Sequence, residues 1–433
     1  MRSNSSTGGQ PSPEKRCLLS RNPTNCFLHT RNVAARSNVT FWCWDLTDRQ
    51  DIKASANGSS TADSISVLLQ MFLQYLSTAL FSLATIRSVY GASAPKRRAT
   101  CAGGQTVQNA ACCAWFPVLE DILPNMFDNE CGDDAHGALR LSFHDAIGFS
   151  PSKGGGGADG SIIVFNSTEL TYPANNGLDD PINTEVPFIQ AHGVTPGDFI
   201  QFAAAVSLSL CAGAPRVGFM MGRPMPVAPA PGPDGLVPEP FDSVESILAR
   251  MADAGGFTAT DVVALLASHS VAGADDVDPT IPGTPFDSTP ELFDTQIFIE
   301  VQLRGTKFPG RDPGQGEVMS GVAGEMRLQS DHLLARDSAS NCAWQSFAGN
   351  QAGMQSAFAK AFNKMAIIGH NPANLIDCSD VIPGAPPLPA NAGPHLPAGQ
   401  TMNDIEQACA ASPFPTFTAQ PGPATTVPAI PQA

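Results

Sequence analysis

Positive charge is what this chain has least of. Its 24 lysines and arginines face 40 aspartates and glutamates, a formal net charge of -16 at pH 7. Nucleic acid and anionic membranes would repel such a protein, so neither is expected as a partner, whereas small cations suit an acidic surface. No Cys-x2-Cys or His-x3-His pair occurs, which removes the common zinc layouts. Tyrosine appears only three times and lysine is scarce. One long apolar run is present, VLLQMFLQYLSTALFSLATI within residues 65–90, and Gln70 and Gln74 interrupt it. Small residues Gly91 to Ala94 and the basic triplet Lys96-Arg97-Arg98 follow. That order fits an internal export signal (about 65–94) and a short propeptide ending at Arg98 better than a membrane anchor.

Residues 1 to about 64 are polar and aperiodic, so they read as disordered or outside the mature protein, a gene-model extension ahead of the signal, and the whole leader, 1–98, is set aside from the fold. The mature part, 99–433, holds Cys101, Cys112, Cys113, Cys131, Cys211, Cys342, Cys378 and Cys409, an even set suited to disulfides in a secreted, extracellular protein. The sequon Asn166-Ser167-Thr168 agrees with export. Helical stripes are expected at 111–127, 134–145, 186–192, 196–210, 243–254, 259–269, 295–302, 332–335, 342–368 and 403–411, separated by loops rich in Gly and Pro. Thr195-Pro196-Gly197-Asp198 and Thr258 to Asp261 carry strong start signals. Strand candidates are few, so the fold class is all-α. Recurrent proline keeps the tail from Pro413 extended.

On the stretch DDAHGALRLSFHD, helical spacing puts Asp133, Gly137, Arg140 and His144 on one face. A permanently charged guanidinium one turn from an imidazole that can carry a proton could cleave a peroxide, although an amphipathic surface helix would look similar. His269 closes the apolar helix DVVALLASH, where an imidazole could ligate a haem or simply bond within the core; Asp331 in QSDH could accept its other ring proton. Two oxygen-rich runs, Asp145 with Gly157, Asp159 and Ser161, and Ser270 with Asp287, Thr289, the Leu292 carbonyl and Asp294, could each cage a hard cation or could be ordinary turns.

In combination, RLSFHD, GGGGADGSI, HGVTPGDFI, APGPDGLVPEPFDSV, LLASHSVA, PFDSTPELFDTQ, QLRGTKFPG, LQSDHLLARD, CAWQSFAGNQ and DCSDVIP resemble the secreted fungal class II haem peroxidases, the lignin, manganese and versatile peroxidase group. The resemblance spans Ala99 to the C-terminus. It implies a two-domain helical fold, a distal half at about 99–240 and a proximal half at about 241–412, with haem b between them, two calcium ions at the two runs above and an extended tail, 413–433. It implies His269 as axial iron ligand with Asp331 as its partner, and His144, Arg140, Phe143 and Asn175 as the peroxide-cleaving set. It implies the disulfides Cys101–Cys113, Cys112–Cys378, Cys131–Cys211 and Cys342–Cys409. A monomer that reduces hydrogen peroxide and oxidises small one-electron donors follows.

Two departures bear on those donors. Members that oxidise bulky aromatics directly carry tryptophan five residues before the proximal histidine, where this chain has Ala264; Trp115 and Trp344 fall in other motifs and are expected in the core. The manganese site of such relatives has three carboxylates, matched here by Asp133, Gly137 and Asp275, two acids and a gap. Manganese(II) oxidation at this incomplete site, phenol oxidation, or both are expected. The alternative is a generic peroxidase acting on phenols and dyes at the haem edge without manganese.

Overall fold

The computed structural model describes residues 98–432 and, in the leader, only the three strands 26–29, 40–43 and 52–55. Met1–Ala94 and Pro95–Ala433 are separate units. In the first, β1 (Cys26–His29), β2 (Thr40–Cys43) and β3 (Ile52–Ser55) pair antiparallel, with Phe27 opposite Trp42 and Phe41 opposite Ala54. Three stretches of the leader thus depart from the disorder expected of its polar composition, each holding residues with strand propensity. The signal-like run at about 65–94 lies outside the described residues.

Of the twelve α-helices described in the second unit, the single turns Ser161–Val164 and Asn166–Glu169 aside, ten carry the architecture. The first four are α1 (Trp115–Asn125), α2 (Asp133–Ile147), α3 (Asp179–His192) and α4 (Pro196–Leu210). Then come α5 (Val244–Gly255), α6 (Ala259–Leu265) and α7 (Gln296–Glu300). The last are α8 (Gln329–Leu334), α9 (Asn341–Phe347) and α10 (Gln351–Met365). The strands of this unit are two-residue pairs, so the all-α expectation describes it.

α4 is the central helix, and its sequence says why. Thr195 caps it by accepting from the Asp198 N–H, Pro196 opens it, and nearly every residue from Pro196 to Ser209 is buried. α2 packs along it and α3 flanks both. α6 starts in a reciprocal capping box, Thr258 N–H to Asp261 at 2.9 Å and Asp261 N–H to Thr258 at 3.2 Å, and packs on α10.

Boundaries differ where proline and glycine act. α3 begins seven residues before the expected Val186, because Pro181 sits in its first turn, where no amide donor is needed. The run expected as one helix over 342–368 is two helices, broken where Gly349 takes φ 70°. The helix expected at 403–411 is absent: only Met402–Asp404 forms a 3-10 turn. Beyond it Ile405 bridges Leu303, the Glu406 N–H bonds the Gln302 carbonyl at 2.7 Å, and Cys409 is tied to Cys342. Those tertiary bonds outbid local propensity. The tail is extended and docked, with Val427 N–H on Ala323 and Ile430 N–H on Gly283, each at 2.8 Å.

Four disulfides link Cys101 to Cys113, Cys112 to Cys378, Cys131 to Cys211, and Cys342 to Cys409. Cys112–Cys378 joins residues 266 apart and fastens the start of this unit to the segment after α10. Trp115 and Trp344 are both buried, one packed tilted against Phe202 and edge-on against Phe219, the other donating to the Phe298 carbonyl at 3.2 Å.

Candidate active site

α2 delivers Arg140, Phe143 and His144, and Asp133 and Asp134 in its first turn suit the positive end of its dipole. The His144 Nδ1 lies 2.9 Å from Asn175 Oδ1, and Asn175 Nδ2 donates to the Glu169 carbonyl at 2.9 Å. Asn175 is therefore oriented as an acceptor, so His144 carries its proton on Nδ1 and leaves Nε2 bare. Burial, then the Arg140 charge, pull the His144 pKa down to about 3 against the Asn175 bond. The ring is neutral at working pH and can accept a proton.

Arg140 donates to the Asn176 carbonyl at 2.8 Å. Its pKa is lowered by burial, with Asp276 and Asp275 acting in the opposite direction, although its side chain is exposed. A group enclosed by protein yet reachable by solvent lines a recess. His269 behaves alike, being 24 % exposed while burial opposes its charged form. It sits in the 3-10 turn Leu266–Val271 that tightens the end of α6, rather than on the α-helix expected as far as 269. Its Nδ1 is 2.7 Å from Asp331 Oδ2, and the charge and hydrogen bond of Asp331 outweigh burial and raise its pKa. Both imidazoles thus spend Nδ1 on a fixed acceptor, and neither Nε2 has a hydrogen-bond partner among the described residues. A planar iron cofactor needs such a nitrogen donor in an enclosed recess, so these residues fit a haem.

Next to these histidines lie the two oxygen-rich runs. Asp145 accepts from the Gly160 N–H at 2.9 Å, and burial followed by the charge of Asp159 pushes its pKa well up. Asp159 and Ser161 stand at the same loop, where Gly157 takes φ 77° against the Ile368 carbonyl, a contact that a side chain would prevent. In the second run Thr289 donates towards Asp287 at 3.3 Å and Asp294 at 3.2 Å. Burial and mutual repulsion raise the Asp287 pKa, and the buried Asp287 Oδ2 has no partner among the described residues. Leu292 closes that turn by donating to the Thr289 carbonyl, and Ser270 Oγ bonds the Ala267 carbonyl at 2.8 Å. No basic side chain pairs with Asp145, Asp159, Asp287 or Asp294 among the described ion pairs. Buried carboxyls without an ion-pair partner suit a hard cation, so both runs fit calcium.

Asp133 begins α2, and Asp275 accepts from the Gly283 N–H at 2.8 Å. Asp276 presses against Gly177, and Asp134 turns to Thr184 on α3. The charges of Asp275, Asp179 and Asp180 all act on Asp276, so Arg140 is bordered by an acidic rim. No three His, Cys, Asp or Glu side chains converge as a metal cage among the described residues. Ala264 is buried, so no aromatic side chain reaches the surface there.

Sequence reasoning missed Glu169. Its carbonyl orients Asn175 and its Oε1 accepts from the Ala230 N–H at 2.9 Å, whose carbonyl in turn receives the Tyr172 hydroxyl at 2.8 Å. Phe286 beside His269, ring centres 5.2 Å apart, was missed as well. Phe286 stands 17 residues from His269, and Glu169, though only six from Asn175, acts through a backbone carbonyl that no side-chain pattern marks.

Residues 119–350 match the family described as Peroxidase, and residues 353–432 match the fungal peroxidase extension region. Manganese peroxidase 3 of Phlebia radiata is 57 % identical over 81 % of this chain and 98 % of its own length. Versatile peroxidase VPS1 of Pleurotus eryngii is 55 % identical over 77 % and 92 %, and ligninase LG2 of Phanerodontia chrysosporium 51 % over 83 % and 99 %.

Proposed function

The chain belongs to the fungal class II haem peroxidases, and we propose that manganese(II) and small phenols supply the electrons for its hydrogen-peroxide-dependent turnover. The observation that supports manganese is the acidic rim: Asp275 and Asp276 act on Arg140, and Asp133 lies two helical turns before Arg140 on the same face of α2. Asp133, Asp275 and water would hold the ion, an octahedral oxygen site with one protein carboxylate fewer than in three-carboxylate relatives. The high identity to a manganese peroxidase agrees with this.

Haem, when bound, supplies the redox-active iron at which peroxide is reduced. His269 would hold the iron through Nε2, made more electron-donating by the Nδ1–H bond to Asp331. His144 would take a proton from one oxygen of hydrogen peroxide on Nε2 and return it to the other as the O–O bond breaks, and with two electrons and two protons from the donors both oxygens end as water. Asn175 keeps the ring in the tautomer that can do so. Arg140 stabilises the negative charge that develops on the departing oxygen, and Phe143 closes the pocket with apolar surface. Calcium at Asp145, Gly157, Asp159 and Ser161, and at Ser270, Asp287, Thr289, Leu292 and Asp294, would fix the ends of the two elements that carry His144 and His269. Loss of the signal-like run (about 65–94) and of the propeptide to Arg98 on export would leave a secreted monomer whose halves, 99–240 and 241–412, each supply residues that would hold the haem.

The test is peroxide-driven oxidation of manganese(II) in a chelating organic-acid buffer beside a small phenol, in wild type and Asp275→Ala. Saturation by manganese, with a KM raised at least tenfold in the variant and phenol turnover unchanged, is expected. Phenol turnover without manganese saturation would leave a peroxidase working at the haem edge alone.

A further inference from the structure

Asp278 and Glu317 are both interior, 4 % and 8 % exposed, and belong to neither oxygen-rich run. Each has one oxygen satisfied and one left over. Asp278 Oδ1 accepts from the Thr280 N–H at 3.0 Å and the Thr280 hydroxyl at 2.7 Å, while buried Oδ2 has no partner among the described residues. Glu317 Oε2 accepts from the Gly314 N–H at 3.0 Å, while buried Oε1 has none. Neither residue has an ion-pair partner among the described residues. The two carboxylates repel one another: burial first, and then the charge of Asp278, raise the Glu317 pKa.

The backbone around them is wound tight. A side chain at Gly310 would collide with Asp278 Oδ2, its Cβ falling 2.3 Å away, and one at Gly314 would strike the Val277 carbonyl oxygen at 1.8 Å. The 310–317 segment is thereby folded directly onto 277–281, and Glu317, held through Oε2 by the Gly314 N–H, lies close enough to Asp278 to feel its charge.

We propose that this place is a further divalent-cation site, taking calcium through Asp278 Oδ2, Glu317 Oε1 and neighbouring carbonyl oxygens, with water completing the shell. Calcium accepts irregular oxygen cages with ligands at about 2.3–2.6 Å, and two carboxylates neutralise it. Occupancy would fasten 310–317 to the loop that holds Asp275 three residues upstream, but the site stands independently of any manganese chemistry there.

The test counts bound calcium per chain in haem-loaded protein after exhaustive exchange into calcium-free buffer, comparing wild type with the Asp278→Asn, Glu317→Gln double variant. Loss of one calcium per chain at unchanged haem content is expected. Equal counts would overturn the site and leave a proton shared by the two acids. Should the double variant fail to fold, wild-type crystals grown with terbium(III) in place of calcium decide the matter. An anomalous peak bonded to Asp278 and Glu317 upholds the site, and its absence while Asp145 and Asp287 bind terbium overturns it.

Discussion

Restoring a carboxylate at position 137 tests the manganese reading most directly. Gly137 lies one turn from Asp133 on α2, and a Cβ built there sits 3.3 Å from Pro181 Cβ and 3.8 Å from its Cγ. A few tenths of an ångström of give at Pro181 therefore admits Gly137→Glu. A carboxylate oxygen at about 2.2 Å from a doubly charged ion gains about 4 kcal/mol at the dielectric of water, the fitting value for so open a rim. Ordering the glutamate side chain costs about 2 kcal/mol, and repulsion from Asp133 at i,i+4 about 0.5 kcal/mol. The remainder, about 1.5 kcal/mol, corresponds to roughly a tenfold tighter manganese site. Steady-state oxidation of manganese(II) should show KM lowered about tenfold, with the KM for a small phenol unchanged. Replacing a mid-helix glycine should also stabilise the protein by about 0.5–1 kcal/mol, read as a higher Tm. A folded, haem-loaded variant with the wild-type manganese KM would refute the placement of the metal on this face.

His269→Ala should abolish haem retention, read from the Soret band, and an unchanged spectrum would remove it as axial ligand. Asn175→Leu removes the acceptor from His144 Nδ1 and should slow the reaction with peroxide on the order of 10–100-fold, measured by stopped flow, while leaving the KM for phenols alone. Glu185 on α3 is fully buried with neither oxygen partnered among the described residues, and burial, aided by Asp145, raises its pKa well above 4.5. The folded state therefore holds a proton that the unfolded chain releases above about pH 4.5, and stability falls as pH rises from there towards the raised pKa, by up to about 1.4 kcal/mol per pH unit. Glu185→Gln should unfold at a higher temperature than wild type at pH 7 and at nearly the same temperature at pH 4, calcium held constant; equal differences at both would refute it. Arg223 pairs with Asp198 at 2.9 Å and donates to the Ala366 carbonyl at 2.6 Å, all buried, so Arg223→Leu should cost about 3–5 kcal/mol in chemical unfolding. Adding Asp198→Asn should recover part of that loss.

Local sequence determined a good deal. The capped starts at Thr195 and Thr258, the helical face shared by Asp133, Gly137, Arg140 and His144, and the oxygen-rich runs are short-range patterns, because one turn of helix or one loop is set by neighbours in the chain. The break at Gly349, the early start of α3 and the loss of a helix after Asp404 were not legible, since each rests on a φ angle or a long-range bond that competes with propensity. The resemblance already implied the four cysteine pairs that the structure forms, whereas tertiary structure alone decided that Glu169 orients Asn175 and that Asp278 acts on Glu317 in the interior. It alone also decided the charge states. A histidine is ordinary in sequence, but His144 becomes a neutral base and His269 a ring held by Asp331 only when burial and a fixed partner act on them together. Desolvation and hydrogen bonding depend on distance in space, which the order of residues does not contain.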